Sequence, residues 1–267
     1  MNDREQRLAQ LHSQFEEVQA HYSELEIISD GAYDGLVVVG RIRFLASYAS
    51  ATEITDSYII RVNVPLYFSP FCPPKAYELA GKIDRFYHHY IDGSLCLGVP
   101  VAVKLKLLAH ETLLGYIEYL LVPYLYAHSY FLQYGAMPFG DNKHNDCEHL
   151  HFYETYFAGV PKNRLLDFLL VMYDPTIYRM HRPCLCGGKR ILRKCHGDDI
   201  RLLTAIHHKR FIKQDIEKML DGITAEGIKN ITSIDANTRK KVISKYIHEL
   251  RKDEKLKNET AKMVGGK

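Results

Sequence analysis

A cysteine placed to act as a nucleophile closes the stretch His88-His89-Tyr90-Ile91-Asp92-Gly93-Ser94-Leu95-Cys96-Leu97-Gly98. Upstream, Pro73-Pro74 ends one extended segment and stiffens the entry to the next, because proline fixes φ and restricts the residue before it. Asp92-Gly93 is turn chemistry, since glycine accepts the positive φ of a tight reversal. The turn delivers Cys96 onto a short apolar step just after two imidazoles. A thiol beside imidazoles and backbone amides ionises more readily, and the thiolate is the nucleophile. The commonest fate of a free cysteine is a buried small hydrophobe, and residue types alone leave both readings of Cys96 open.

A second cluster lies in Pro183-Cys184-Leu185-Cys186-Gly187-Gly188-Lys189-Arg190-Ile191-Leu192-Arg193-Lys194-Cys195-His196. Its ligand order is Cys-x-Cys, eight residues, then Cys-His. Three thiolates and an imidazole suit tetrahedral Zn²⁺, and Gly187-Gly188 lets the chain fold back on the metal. Four protein ligands fill the coordination sphere, so Cys184, Cys186, Cys195 and His196 predict a structural and not a catalytic ion.

The elements that must position these residues read as an α+β fold. Leu8, Leu11, Phe15, Val18, Tyr22 and Leu25 make one apolar stripe of an N-terminal helix. The β-branched runs Leu36–Phe44 and Ser57–Val64 predict neighbouring antiparallel strands, and Ala76–Leu79 a short further one. Leu105 to Tyr134 is apolar and tyrosine-rich with Pro123 inside it, which predicts a long or kinked helix pair. Glu118, Pro123 and His128 argue against a membrane span there. A loop follows from Pro138 to His144, then a Tyr/Phe-rich helix through Phe157 and an amphipathic helix over Arg164–Met172. Asp198-Asp199 is expected to cap a helix through Leu220, and Asp235 a final basic helix from Thr238 to about Lys257.

The formal charge of +3 hides an asymmetry. The first 180 residues carry 14 Lys/Arg against 21 Asp/Glu, and the rest 21 against 11, so the two parts balance at −7 and +10. This predicts a first domain over 1–178 and a small zinc-containing basic helical region over 179–267. Such a basic part can meet nucleic acid or an acidic protein face, although a solvated helical surface is the simpler expectation. Few aromatics interleave its cations, which counts against single-strand stacking. The N-terminus lacks the apolar core of a signal peptide. The six cysteines are not spaced as a disulfide framework, so a reducing cytoplasm is expected.

The order Pro-Pro, short strand, histidine-bearing loop, then Gly93-Ser94-Leu95-Cys96-Leu97 resembles the ubiquitin-conjugating (UBC-fold) enzymes. The likeness covers roughly residues 1–175, and its specific part is Phe71 to Pro100. The zinc cluster is similar to the SEC-C motif, with Leu185 for the usual proline and no serine between the glycines. With Phe139-Gly140-Asp141 and His144 further on, the chain resembles the stand-alone conjugating enzymes of bacterial CBASS anti-phage operons. The resemblance implies a UBC-like antiparallel meander sheet with flanking helices. It also implies a Cys96 thioester with the C-terminus of a cGAS-like nucleotidyltransferase, passed to an amine so as to prime that enzyme. The family's His-Pro-Asn, whose Asn stabilises the oxyanion, is absent. His88 stands eight residues before Cys96 in its place, followed by His89, and an imidazole N–H can donate to a developing oxyanion. The sequence identifies no general base, and Asp92 and Asp141 stand only as candidate carboxylates. No glycine-rich phosphate loop opens a helix, so ATP-dependent activation of the acyl group would come from elsewhere or be bypassed. The alternatives are a catalytically inactive UBC-like binding module and a zinc-containing nucleic-acid-binding adaptor.

Overall fold

The structure, a computed structural model, describes residues 2–28, 33–48, 51–84, 87–138 and 147–221. The chain divides into two compact units, Met1–His149 and Leu150–Lys267. The helix over Arg164–Met172, which the charge boundary near residue 178 assigns to the first part, lies in the second unit.

The first unit is built on four antiparallel strands in the order β1 (Leu25–Ile28), β2 (Gly35–Ala46), β3 (Ile54–Pro65) and β4 (Lys75–Glu78). In β3 the alternation Tyr58, Ile60, Val62, Val64 buries one face and leaves Ile59, Arg61 and Asn63 half-exposed, as a sheet covered on one side requires. Helix α1 (Asp3–His21) starts with a capping box in which the Asn2 side chain accepts from the Glu5 amide and Glu5 accepts from the Asn2 amide. Its buried Leu11, Phe15 and Val18 join the sheet in one core.

The apolar stripe that continues the helix to Leu25 is misleading. The helix ends at His21 and Leu25 opens β1, pairing with Gly40. Gly40 has φ +146°, and a β-carbon there would sit 2.0 Å from the Glu24 carbonyl oxygen. The turn into β1 therefore needs glycine on the neighbouring strand.

Beyond β4 come α2 (Pro100–Ala109), the single turn α3 (Leu113–Tyr116), a π-helical turn (Ile117–Leu121) and α4 (Val122–Tyr134). Pro123 sits in the first turn of α4, directly after the π turn. The helical run passes the missing proline donor by widening there and not by breaking. α4 packs on β2 and β3. Among the described residues no helix is long and apolar enough to cross a membrane.

The second unit holds most of α5 (Cys147–Tyr156), then α6 (Lys162–Tyr173), α7 (Gly197–Ile206) and α8 (Lys209–Asp221). From Leu165 to Tyr173 every residue of α6 is buried, so it is a central helix and not an amphipathic surface one. The helix expected to run from Asp198 to Leu220 is two helices broken at His207-His208, and Asp198 and Asp199 lie in its first turn while His196 is the N-cap. The loop bearing Asp141 and His144 and the final basic helix fall outside the described residues.

Candidate active site and metal centre

The Cys96 loop is anchored by backbone hydrogen bonds. The Leu95 amide donates to the Ala76 carbonyl of β4 at 2.8 Å, and the Cys96 amide donates to the His88 carbonyl at 2.7 Å. His89 and Leu95 form an isolated antiparallel bridge, and the Tyr90 amide closes on the Ser94 carbonyl at 2.8 Å. Asp92 fixes the tip. One carboxylate oxygen accepts from the Ser94 amide and hydroxyl at 3.1 and 2.6 Å, and the other accepts from Lys75 at 2.6 Å. Lys75 and Ser94 together hold the Asp92 carboxyl well below the usual carboxylate range. Asp92 is thus committed to the turn, as a brace.

Two histidine backbones bring His88 and His89 alongside Cys96 on the rungs of this loop. His88 has φ +44°, the single positive-φ residue other than glycine in the described structure. Its ring packs edge-on against Tyr87, with centroids 4.9 Å apart, and against Tyr124 at 6.3 Å. The Tyr124 hydroxyl reaches from α4 to the Tyr87 and His88 carbonyls, at 3.2 and 3.3 Å. His89 Nδ1 is buried with no hydrogen-bond partner among the described residues. The Cys96 thiol is half-buried, and its one hydrogen bond among the described residues is a long 4.0 Å contact to the Gly98 carbonyl. It is not sealed in the core, and no general base is bonded to it among the described residues.

Behind the loop runs a polar chain, exposed at Lys82 and buried at its Tyr58, His128 and Ser129 end, invisible to residue spacing. Lys82 donates to Asp56 at 2.5 Å, and the Ser129 hydroxyl reaches the other Asp56 oxygen at 2.6 Å. The Tyr58 hydroxyl contacts Ser129 Oγ at 2.7 Å and His128 Nδ1 at 2.8 Å. The His128 ring then lies edge-on to Tyr87, centroids 4.7 Å apart. Burial lowers the His128 pKa, helped by Lys82 and His89 and opposed by Asp56 and Glu78.

In the second unit the four predicted ligands converge. Their donor atoms all lie within 4.8 Å of one another. Cys186 Sγ is 3.8 Å from Cys195 Sγ, and His196 Nδ1 is 3.2 and 3.4 Å from Cys184 and Cys195 Sγ. A tetrahedral ion bonded at about 2.3 Å to sulfur and about 2.0–2.1 Å to nitrogen sets such separations near 3.8 and 3.6 Å. The donor set therefore fits a metal ion.

A small hairpin builds it: the Cys184 amide donates to the Arg190 carbonyl at 2.9 Å and the Leu192 amide to the Arg182 carbonyl at 2.8 Å. Gly187 turns at φ +83°, where a β-carbon would meet the Arg164 guanidinium at 2.8 Å. Arg164 itself donates to the Leu185 carbonyl at 3.1 Å. The His196 imidazole packs edge-on against Phe157 and Phe168. Burial pushes the Cys184 thiol up to about 12. Burial also acts against the Cys186 thiolate, but the Gly188 amide, the neighbouring thiols and Arg164 outweigh it and lower that pKa. A bound cation would ionise both thiols.

Compared with known protein families, curated proteins and solved structures, the chain matches none.

Proposed function

We propose that this protein is a ubiquitin-conjugating-type thiol enzyme of anti-phage defence. In this reading the Cys96 thiolate attacks the activated C-terminal carbonyl of a cGAS-like nucleotidyltransferase and expels the activating group, forming a thioester. A target amine then attacks that carbonyl; the C–S bond breaks, the thiol regains a proton, and an amide remains. His88 and His89 would donate to the oxyanion in both steps. The observation that carries the reading is the placing of Cys96: a half-buried thiol outside the metal cluster, on a loop braced by Asp92 and tied to a left-handed His88. Loops that hold a residue in a sparsely populated backbone region concentrate at functional sites. The UBC likeness of residues 1–175 supports the same reading.

A second reading has the more direct geometric support. Three of the cysteines belong to the metal cluster, and among the described residues the Cys96 thiol has no base hydrogen-bonded to it. This favours a catalytically inactive UBC-like module, or a zinc-containing nucleic-acid-binding adaptor. In either reading the bound ion is Zn²⁺, argued from the Cys₃His donor set, and its role is structural.

Intact mass without reductant separates the two. Wild type and Cys96→Ala are each co-expressed with a cGAS-like nucleotidyltransferase. Transfer chemistry predicts an adduct that thiol reagents release, present in wild type and absent in Cys96→Ala. No adduct in either protein moves the binding module ahead, and an adduct persisting in Cys96→Ala places the chemistry on another residue.

A further inference from the structure

The metal-stapled hairpin carries a charge pattern that metal binding does not need. From Pro175 to Gly197 the chain has no acidic residue, and its formal charges are Arg179, Arg182, Lys189, Arg190, Arg193 and Lys194. All six are exposed. The hairpin rungs fix them close together: Arg193 donates through its amide to the Met180 carbonyl at 2.8 Å, beside the Arg182–Leu192 and Cys184–Arg190 rungs. The ion pairs of the described second unit join Lys162 to Glu154, Arg201 to Asp198 and His207 to Asp215, and none involves these six. A divalent ion on three thiolates and a neutral imidazole carries one negative charge, too little to offset them. A rigid knot of like charges repels itself, and an external polyanion relieves that cost.

We infer that the basic knuckle binds duplex nucleic acid through its phosphates, without reading sequence. A duplex presents about one negative charge per 1.7 Å of axis, a density that a cluster of six fixed cations matches. Four of the six are arginines, whose planar forks suit phosphate oxygens. A membrane surface fits less well, because Leu185 and Leu192 are buried and the strip from 179 to 194 exposes no large apolar side chain. Single strands fit less well too, since this strip holds no Phe, Tyr or Trp ring as a stacking platform. The inference deepens the adaptor reading and is independent of Cys96 chemistry.

The test is fluorescence anisotropy of the zinc-loaded full chain with a labelled duplex of arbitrary sequence, titrated at several salt concentrations. Contacts by most of the six cations predict log K falling against log salt with a slope of about −5, roughly 10³-fold between 50 and 200 mM. Replacing Arg182, Lys189, Arg193 and Lys194 together by Glu is expected to weaken binding at least about 100-fold and to flatten the slope by about one per residue. Arg190 is left intact because it contacts Cys195 Sγ at 3.7 Å. Should the fourfold variant lose its metal, the pair Lys189→Gln and Lys194→Gln replaces it, with a slope flattened by about two. No duplex binding at 50 mM salt overturns the inference. So does unchanged binding by the charge variants, or binding to polyglutamate or anionic vesicles in place of the duplex. Cys96→Ala is expected to bind the duplex like wild type even if it loses the thioester, so the two readings fail separately.

Discussion

At the scale of single residues the sharpest feature is the left-handed backbone of His88, since a side chain in that region costs on the order of 1 kcal/mol or more. The Cys96 amide and the Tyr124 hydroxyl both converge on the His88 carbonyl. The strain therefore sets the level of the Cys96 rung, and the imidazole rides on it. Asparagine tolerates the same backbone and also carries an N–H donor. If the ring is an oxyanion donor, His88→Ala should slow Cys96-dependent transfer about 10²–10³-fold, while His88→Asn should keep it within about tenfold of wild type. Single-turnover formation and decay of the thioester measure both. Equal losses in the two variants would assign His88 to loop geometry alone. The resemblance to the UBC-fold enzymes pointed to His88, which stands where their Asn would, but it held no sign of the left-handed backbone, whose carbonyl is held by the Cys96 amide and by Tyr124 of α4.

At the scale of elements α4 ties the first unit together. Tyr124 and His128, one turn apart, reach the Cys96 loop and the Tyr58 hydroxyl, and Ser129 links Tyr58 to Asp56 of β3. Burial holds the His128 pKa below the ordinary 6.5. Between the lowered folded value and 6.5 the unfolded chain binds more protons, so stability rises with pH through that window. It is complete above 6.5 and lost as pH falls through the folded value. Thermal midpoints followed downward from about pH 7.5 should decline in wild type, and the decline should shrink in His128→Gln whatever that variant's absolute stability. Parallel curves would show that His128 does not titrate in this window. Sequence could not disclose this chain, because its α4–β3 partners lie 70 to 73 residues apart. The same limit hid β1, a four-residue edge strand specified by Gly40 across the sheet and masked by an apolar stripe that Leu25 continues. The break at His207-His208 did leave a trace. Ile206 and Ile212 are six residues apart, out of phase with a 3.6-residue repeat.

At the scale of the whole molecule the two units rest on different supports. The first has a large apolar core spanning α1, the sheet and α4. The second was the more legible of the two at its centre, because all four ligands fall within Cys184–His196 and local spacing suffices to nominate them. What spacing could not show is that the cluster is also a packing centre. His196 lies against Phe157 and Phe168, and Arg164 of α6 grips the Leu185 carbonyl. Losing the ion would leave thiols and an imidazole facing each other on a hairpin whose six exposed cations make no ion pair among the described residues. Structural zinc contributes about 10–16 kcal/mol in small zinc-binding peptides, comparable with the about 5–15 kcal/mol that holds a whole domain folded. Metal removal is therefore expected to unfold the second unit while the first keeps its sheet. Purified protein should carry about one zinc per chain, and Cys195→Ser should carry much less. A strong chelator should abolish the helical signal of α6 to α8 and open their amides to hydrogen exchange, with protection of β2 and β3 retained. Full exchange protection of α6 in the metal-free chain would show that its apolar packing alone holds the second unit together.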